Sequence, residues 1–194
     1  GPGCNLTPDR AELLGRAFVS FLKKKTASRP VKIAVGRDPR LSGEALKEGL
    51  VQGLCAMGAD VIDCGLATTP SMFFSTYYEG SRCDGAVEIT ASHLPYDKNG
   101  LKFFTKDGGI DGDDVSELIR LAEENAFSVR NSGCMRQFDL MGPYSESLVR
   151  LVREKTGEQQ PLNGVHVVVD AGGGAGGDAA QEPGPVAAQH AHSA

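Results

Sequence analysis

Residues 31–64 read VKIAVGRDPRLSGEALKEGLVQGLCAMGADVIDC. Val31 to Val35 is a short apolar run with the length and branching of a strand. Gly36 to Gly43 carries the glycine, proline and aspartate of a turn, with Ser42 placed to cap a helix. Leu46, Leu50, Leu54 and Met57 then recur at helical spacing, and Gly58 stops that helix. Asp60 to Cys64 is a second apolar run. Strand, helix and strand in succession make the unit of an α/β layer.

The same alternation extends in both directions. Upstream, Thr7-Pro8 is a hydroxyl cap followed by a proline at the first helical position. Leu13, Leu14, Ala17, Phe18, Phe21 and Leu22 follow as one apolar stripe, and Lys23 to Lys25 suit the negative end of the helix dipole. Downstream, the pattern predicts a helix at 71–78, a strand at 85–90, a loop at 91–100 and a strand at 101–104. A helix from the acids Asp111, Asp113 and Asp114 to Asn125 completes a domain spanning 5–135. The pattern breaks between Ser128 and Met141, which reads as an interdomain link. A helix at 144–156 and an apolar strand from Val165 to Val169 open a second α/β unit over 141–177. Residues 178–194 are rich in Ala, Gln, Pro, Gly and His without periodicity, and read as a disordered tail.

Composition narrows the function. Hydrophobic residues make up 40% of 194, enough for a core, and no apolar run approaches a membrane span. The net charge of −5, with no basic run beyond Lys23 to Lys25, argues against nucleic acid as a partner. The chain shows no basic-then-apolar leader. Its five cysteines contain no CxxC pair, so neither a disulfide framework nor a zinc site fits. Reduced thiols in a cytoplasmic protein are the expectation.

Chemistry concentrates in TASHLP at 90–95, followed by NGLK at 99–102. This loop leaves the end of an apolar strand, where α/β sheets place reactive groups. Ser92 there also fits a turn or a cap. A Ser–His hydrolase is disfavoured: His93 follows Ser92 directly, neighbours on an extended loop point apart, and no GxSxG elbow is present. The run Gly172 to Gly177 satisfies GxGxxG after a strand, which keeps a dinucleotide fold as the alternative. The helix, strand and acid that should follow it are not found.

TASHLP, NGLK with its lysine ten positions after the serine, and GRDPRLSG at 36–43 together resemble the α-D-phosphohexomutase family, the phosphomannomutases and phosphoglucomutases. LTPDRAELLGRAF at 6–18 and VVVDAGGGAGG at 167–177 are similar to further family segments. The resemblance covers about residues 5–177. It implies a three-layer α/β/α first domain with a mixed sheet, followed by an incomplete second α/β unit. It implies that Ser92 is a phosphoserine in the resting enzyme and passes its phosphoryl group to a hexose monophosphate through a hexose 1,6-bisphosphate. Magnesium would sit on the Ser92 phosphate, His93 would hydrogen-bond beside it, and Lys102 would serve as acid/base. Arg37, Asp38 and Arg40 are expected to brace their loop rather than touch substrate.

Departures from the family are equally specific. Leu94 replaces the usual asparagine, which leaves open the loss of a hydrogen bond. No GIRG-like segment precedes the first helix. No aspartate-rich metal loop, GEMSGH-like sugar loop or terminal phosphate loop follows. Asp111-Gly112-Asp113-Asp114 lacks the metal loop's arginine and suits a helix start. The expectation is a truncation or frame change near Gly177, and a chain inactive by itself. A non-catalytic fragment or scaffold of the same fold is the other reading, and oligomeric state is not encoded in these motifs.

Overall fold

The computed structural model describes residues 6–25, 30–128, 133–168 and 170. In chain order the elements are α1 (Pro8–Lys25), β1 (Lys32–Arg37), α2 (Gly43–Ala56), β2 (Asp60–Leu66), α3 (Thr69–Tyr77), β3 (Gly85–Ile89), β4 (Leu101–Thr105), β5 (Gly108–Gly109), α4 (Gly112–Glu124), β6 (Cys134–Gln137) and α5 (Met141–Thr156). The strands form one sheet in the order β5-β4-β3-β1-β2-β6. β1 pairs in parallel with β2 and β3, and β2 with β6, whereas β3–β4 and β4–β5 are antiparallel. The sheet is mixed, as the resemblance implied.

Period-two alternation on the strands builds two cores, one on each face. Ile33, Val35, Val61, Val87, Ile89 and Phe103 face α1, α2 and α4. Ala34, Ile62, Ala86 and Phe104 face the other way, onto Met72 and Phe74 of α3 and onto Leu140. Central strands buried on both faces read as continuous apolar runs, which is why 31–35 and 85–89 show no polar alternation.

Helix starts follow local chemistry. The Arg10 N–H donates to the Thr7 hydroxyl at 3.3 Å, and Asp111 accepts from the Asp113 and Asp114 N–H groups at 3.0 and 2.9 Å. Asp111 therefore caps α4, with Asp113 and Asp114 in its first turn, as expected. The lysine run does more than answer a dipole. Lys23 Nζ donates to the Met57 carbonyl at 2.7 Å, and Lys24 and Lys25 pair with Glu117 and Asp114 at 2.5 and 3.1 Å. α1 and α2 touch backbone to backbone: a Cβ built on Gly53 would lie 2.0 Å from the Glu12 carbonyl oxygen.

Two expectations need correction. The supposed link at 128–141 contains β6, whose residues are all exposed. It is held to β2 by backbone pairing, so it carries no apolar signature, and the first domain's sheet runs past residue 135. Residues 165–168 form no strand, and Val167 and Val168 are exposed. A strand needs a neighbour for its backbone groups, and the described residues give it none. The tail at 178–194 and the glycine run 172–177 lie outside the described residues.

Candidate active site

Because β1 and β3 are parallel neighbours with Arg37 opposite Ile89, the loops leaving their C-terminal ends start side by side. The Asp38 N–H donates to the Ile89 carbonyl at 3.0 Å. The helices that follow β1 and β2 pack on opposite faces, α2 with α1 and α3 on the other side. That reversal opens the crevice where open α/β sheets bind ligands.

The β3 loop is closed at its base by the Thr90 N–H on the Gly100 carbonyl, 3.0 Å. Ser92 lies exposed on this loop with φ of 55°, a left-handed conformation that costs a non-glycine residue about 1–2 kcal/mol. Such a residue persists when its surroundings fix it. Here the Ser92 N–H donates to the Thr90 hydroxyl at 3.0 Å. The left-handed turn also corrects one expectation: Ser92 and His93 do not point apart, and Ser92 Oγ lies 3.4 Å from His93 Nδ1. That contact is long, and among the described residues no carboxylate orients His93, so a hydrolase triad is not assembled.

The GRDPRLSG loop holds the serine loop in place. Arg40 donates to the Ser92 and Leu94 carbonyls at 2.8 Å each and to those of Pro95 and Lys98 at 2.6 and 3.0 Å. Its Nε bonds Asp38 at 2.9 Å, and the same Asp38 oxygen accepts from the Thr90 hydroxyl at 2.7 Å. Arg37 instead pairs with Glu44 at 2.8 Å. The expected bracing is present, and Arg40 reaches across to brace a second loop as well. Ser42 corrects another expectation: it is helical itself and makes no side-chain cap, and its Oγ accepts from Asn99 Nδ2 at 2.9 Å. Leu94 contributes its backbone, since its side chain is exposed.

β4 runs antiparallel to β3, so it begins at the end where β3 stops, and Lys102 stands opposite Glu88. Lys102 Nζ donates to the Thr69 hydroxyl at 3.0 Å. Thr69, in the first turn of α3, donates in turn to the Glu88 carboxylate. Glu88 is buried, and loss of water raises its pKa; the Thr69 hydrogen bond and the Lys102 charge oppose this without cancelling it. Sequence reading found Lys102 through its motif and missed Thr69 and Glu88, which lie far from it along the chain.

Other ionisable groups belong to the scaffold. Buried Asp63 pairs with Lys47 at 2.8 Å and accepts from Gly65 N and Gln137 Nε2 at 2.9 Å each. Burial works against its charge, yet these bonds together hold its pKa below the ordinary value. Burial raises the pKa of Cys64 and pushes that of Cys83 up to about 12. These thiols stay protonated and unreactive, and the four cysteines among the described residues are unpaired. Among the described residues no group of three His, Cys, Asp or Glu side chains could hold a metal ion.

The family profile described as phosphoglucomutase/phosphomannomutase, alpha/beta/alpha domain I, matches residues 2–128. The chain belongs to the phosphoglucomutase/phosphomannomutase family. It is 38% identical over 185 residues to a phosphomannomutase of Escherichia coli, covering 93% of this chain and 38% of that relative. A phosphomannomutase of Klebsiella pneumoniae is 40% identical over 147 residues, 73% of this chain and 88% of the relative. A crystal structure of a phosphoglucomutase/phosphomannomutase family protein from Burkholderia thailandensis superposes with a TM-score of 0.68 at 34% identity, over 77% of this chain and 33% of that one. The chain thus spans little more than a third of the length of the E. coli relative. No helix among its described residues is long and apolar enough to cross a membrane.

Proposed function

We propose that this chain is the phosphoserine-bearing part of a mutase that interconverts hexose 1-phosphates and hexose 6-phosphates. Ser92 Oγ carries the phosphoryl group. In the first step the bond from phosphorus to Ser92 Oγ breaks, a bond forms to the free hydroxyl oxygen of a hexose monophosphate, that hydroxyl's proton passes to a base, and the freed Ser92 Oγ takes up a proton in exchange. The resulting hexose 1,6-bisphosphate turns round, and its other phosphoryl group returns to Ser92 Oγ, whose hydroxyl gives up its proton while the sugar oxygen left behind regains one. Lys102 is the residue for both proton transfers, and His93 hydrogen-bonds beside the phosphoserine. Hexose 1,6-bisphosphate would also act as activator, by loading an empty Ser92.

The observation that carries this reading is the placement of Ser92. It is the exposed, left-handed residue of a loop held from behind by Arg40 at the sheet's switch point, and Lys102 starts the adjoining strand. Relatives named phosphomannomutase and phosphoglucomutase point to mannose or glucose as the hexose. Residues 141–177 would begin the next family domain, with 178–194 outside it.

Magnesium is the family's expected metal, supplying charge neutralisation at the transferring phosphoryl group. A phosphorylated Ser92 would offer it one ligand. The described residues include no carboxylate cluster to complete the site, so they do not make a magnesium site alone. For the same reason the 194-residue chain by itself should turn over no substrate.

The test joins this domain to the remaining domains of the E. coli phosphomannomutase and assays hexose 1-phosphate to 6-phosphate conversion. Ser92→Ala should remove at least about 10³-fold of the rate, as loss of a covalent nucleophile does. A fully active Ser92→Ala chimera would reject the proposal, and a folded but inactive wild-type chimera would favour the scaffold reading.

A further inference from the structure

A guanidinium has five N–H donors in a rigid plane and no acceptor. At Arg40 all five are spent: Nε on Asp38, one terminal nitrogen on the carbonyls of Pro95 and Lys98, and the other on those of Ser92 and Leu94. The side chain is only 11% exposed. No donor remains for a substrate phosphate, and four carbonyls of the loop are held on one cation. Asp38 fixes the plane of the fork from below, through the Arg40 main-chain N–H at 3.1 Å and the Thr90 hydroxyl. That hydroxyl also receives the Ser92 N–H. One cation therefore sets the backbone of 92–98, including the strained Ser92.

From this we infer that Arg40 is a positioning residue for Ser92, acting through the geometry of its fork rather than by binding substrate. The inference rests on Ser92 being the phosphoryl carrier. It implies that lysine cannot replace Arg40, because an ammonium has three donors and no plane. It also implies that loss of Arg40 lowers kcat and spares KM, since a displaced acceptor oxygen of about 1 Å costs about 100-fold in rate.

Two measurements test this. In the 194-residue chain, amide hydrogen exchange at 92–98 should accelerate at least about tenfold in both Arg40→Lys and Arg40→Met, with β1 and α1 unchanged. In the chimera, both variants should lose about 100-fold in kcat while KM stays within about twofold. Unchanged exchange with unchanged kcat would overturn the inference. So would a KM rise at constant kcat, which would make Arg40 a substrate ligand, or full activity in Arg40→Lys, which would make charge alone sufficient. Should Arg40→Met fail to fold, Arg40→Lys decides by the same readouts. Absence of phosphate on Ser92 in the wild-type chimera would sink the proposed function, while the exchange measurement would still decide whether Arg40 holds the loop.

Discussion

The α1–α2 face of the domain and the loop at 91–100 are held together by opposite means. Phe18, Leu22, Leu50 and Leu54 are essentially inaccessible to water and touch one another and the sheet. Between Ser92 and Lys98 every residue is exposed, and hydrogen bonds from Arg40, Thr90 and Asn99 set the shape. Apolar burial is non-directional and tolerates adjustment, so it suits a scaffold. Polar bonds fix a backbone in one geometry and leave its outer surface free, so they suit a loop of the kind proposed here, which offers one oxygen to a ligand. Changes to the face should therefore alter stability and spare the loop's chemistry, and changes to the loop should do the reverse.

After Ser92→Ala, Lys102→Met is the largest expected break on the site side. It should cost about 10²–10⁴-fold in chimera turnover, the range for a general acid/base, while phosphate remains on Ser92. Stopped-flow or steady-state assays with peptide mass spectrometry would check both halves. On the scaffold side, Phe18→Ala should destabilise the chain by about 3–5 kcal/mol through cavity formation, read by urea unfolding. Gly53→Ala should cost about 1–3 kcal/mol, because its new methyl meets the Glu12 carbonyl oxygen rather than a movable side chain.

The smallest effect is a pH dependence. Asp63 has a folded pKa below its ordinary 3.8. Its ion pair therefore contributes fully above that value, and the contribution is lost as pH falls through the lower folded value. Asp63→Asn should lower Tm near neutral pH and flatten the acid limb below about pH 4. An unchanged acid limb in this variant would mean that the pair with Lys47 contributes nothing.

How much of this was legible in the sequence depended on whether the signal was local. The apolar run at 31–35 and the periodic stripe on α1 are each contained in one short stretch of chain, so the α/β order of elements could be read directly. β6 could not: Cys134 to Gln137 carry no apolar alternation because backbone pairing to β2 and polar contacts such as Gln137 with Asp63 recruit them. Val165 to Val168 show the converse, an apolar run that forms no strand among the described residues. In the candidate site, Ser92, His93 and Lys102 are proposed from contiguous motifs. The bonds of Arg40 to a loop more than fifty positions away, and of Thr69 to Glu88 and Lys102, left no local pattern. Ser42 was misread because a serine before a helix is usually its cap, and its hydroxyl here serves Asn99 instead.

Phosphopeptide mass spectrometry of the chimera reads whether Ser92 bears the phosphoryl group. After incubation with hexose 1,6-bisphosphate, a single added phosphate is expected on the peptide containing Ser92, none in Ser92→Ala, and its loss on addition of excess hexose monophosphate. Phosphate on another residue, or on none in a chimera that turns over substrate, would contradict that role for Ser92.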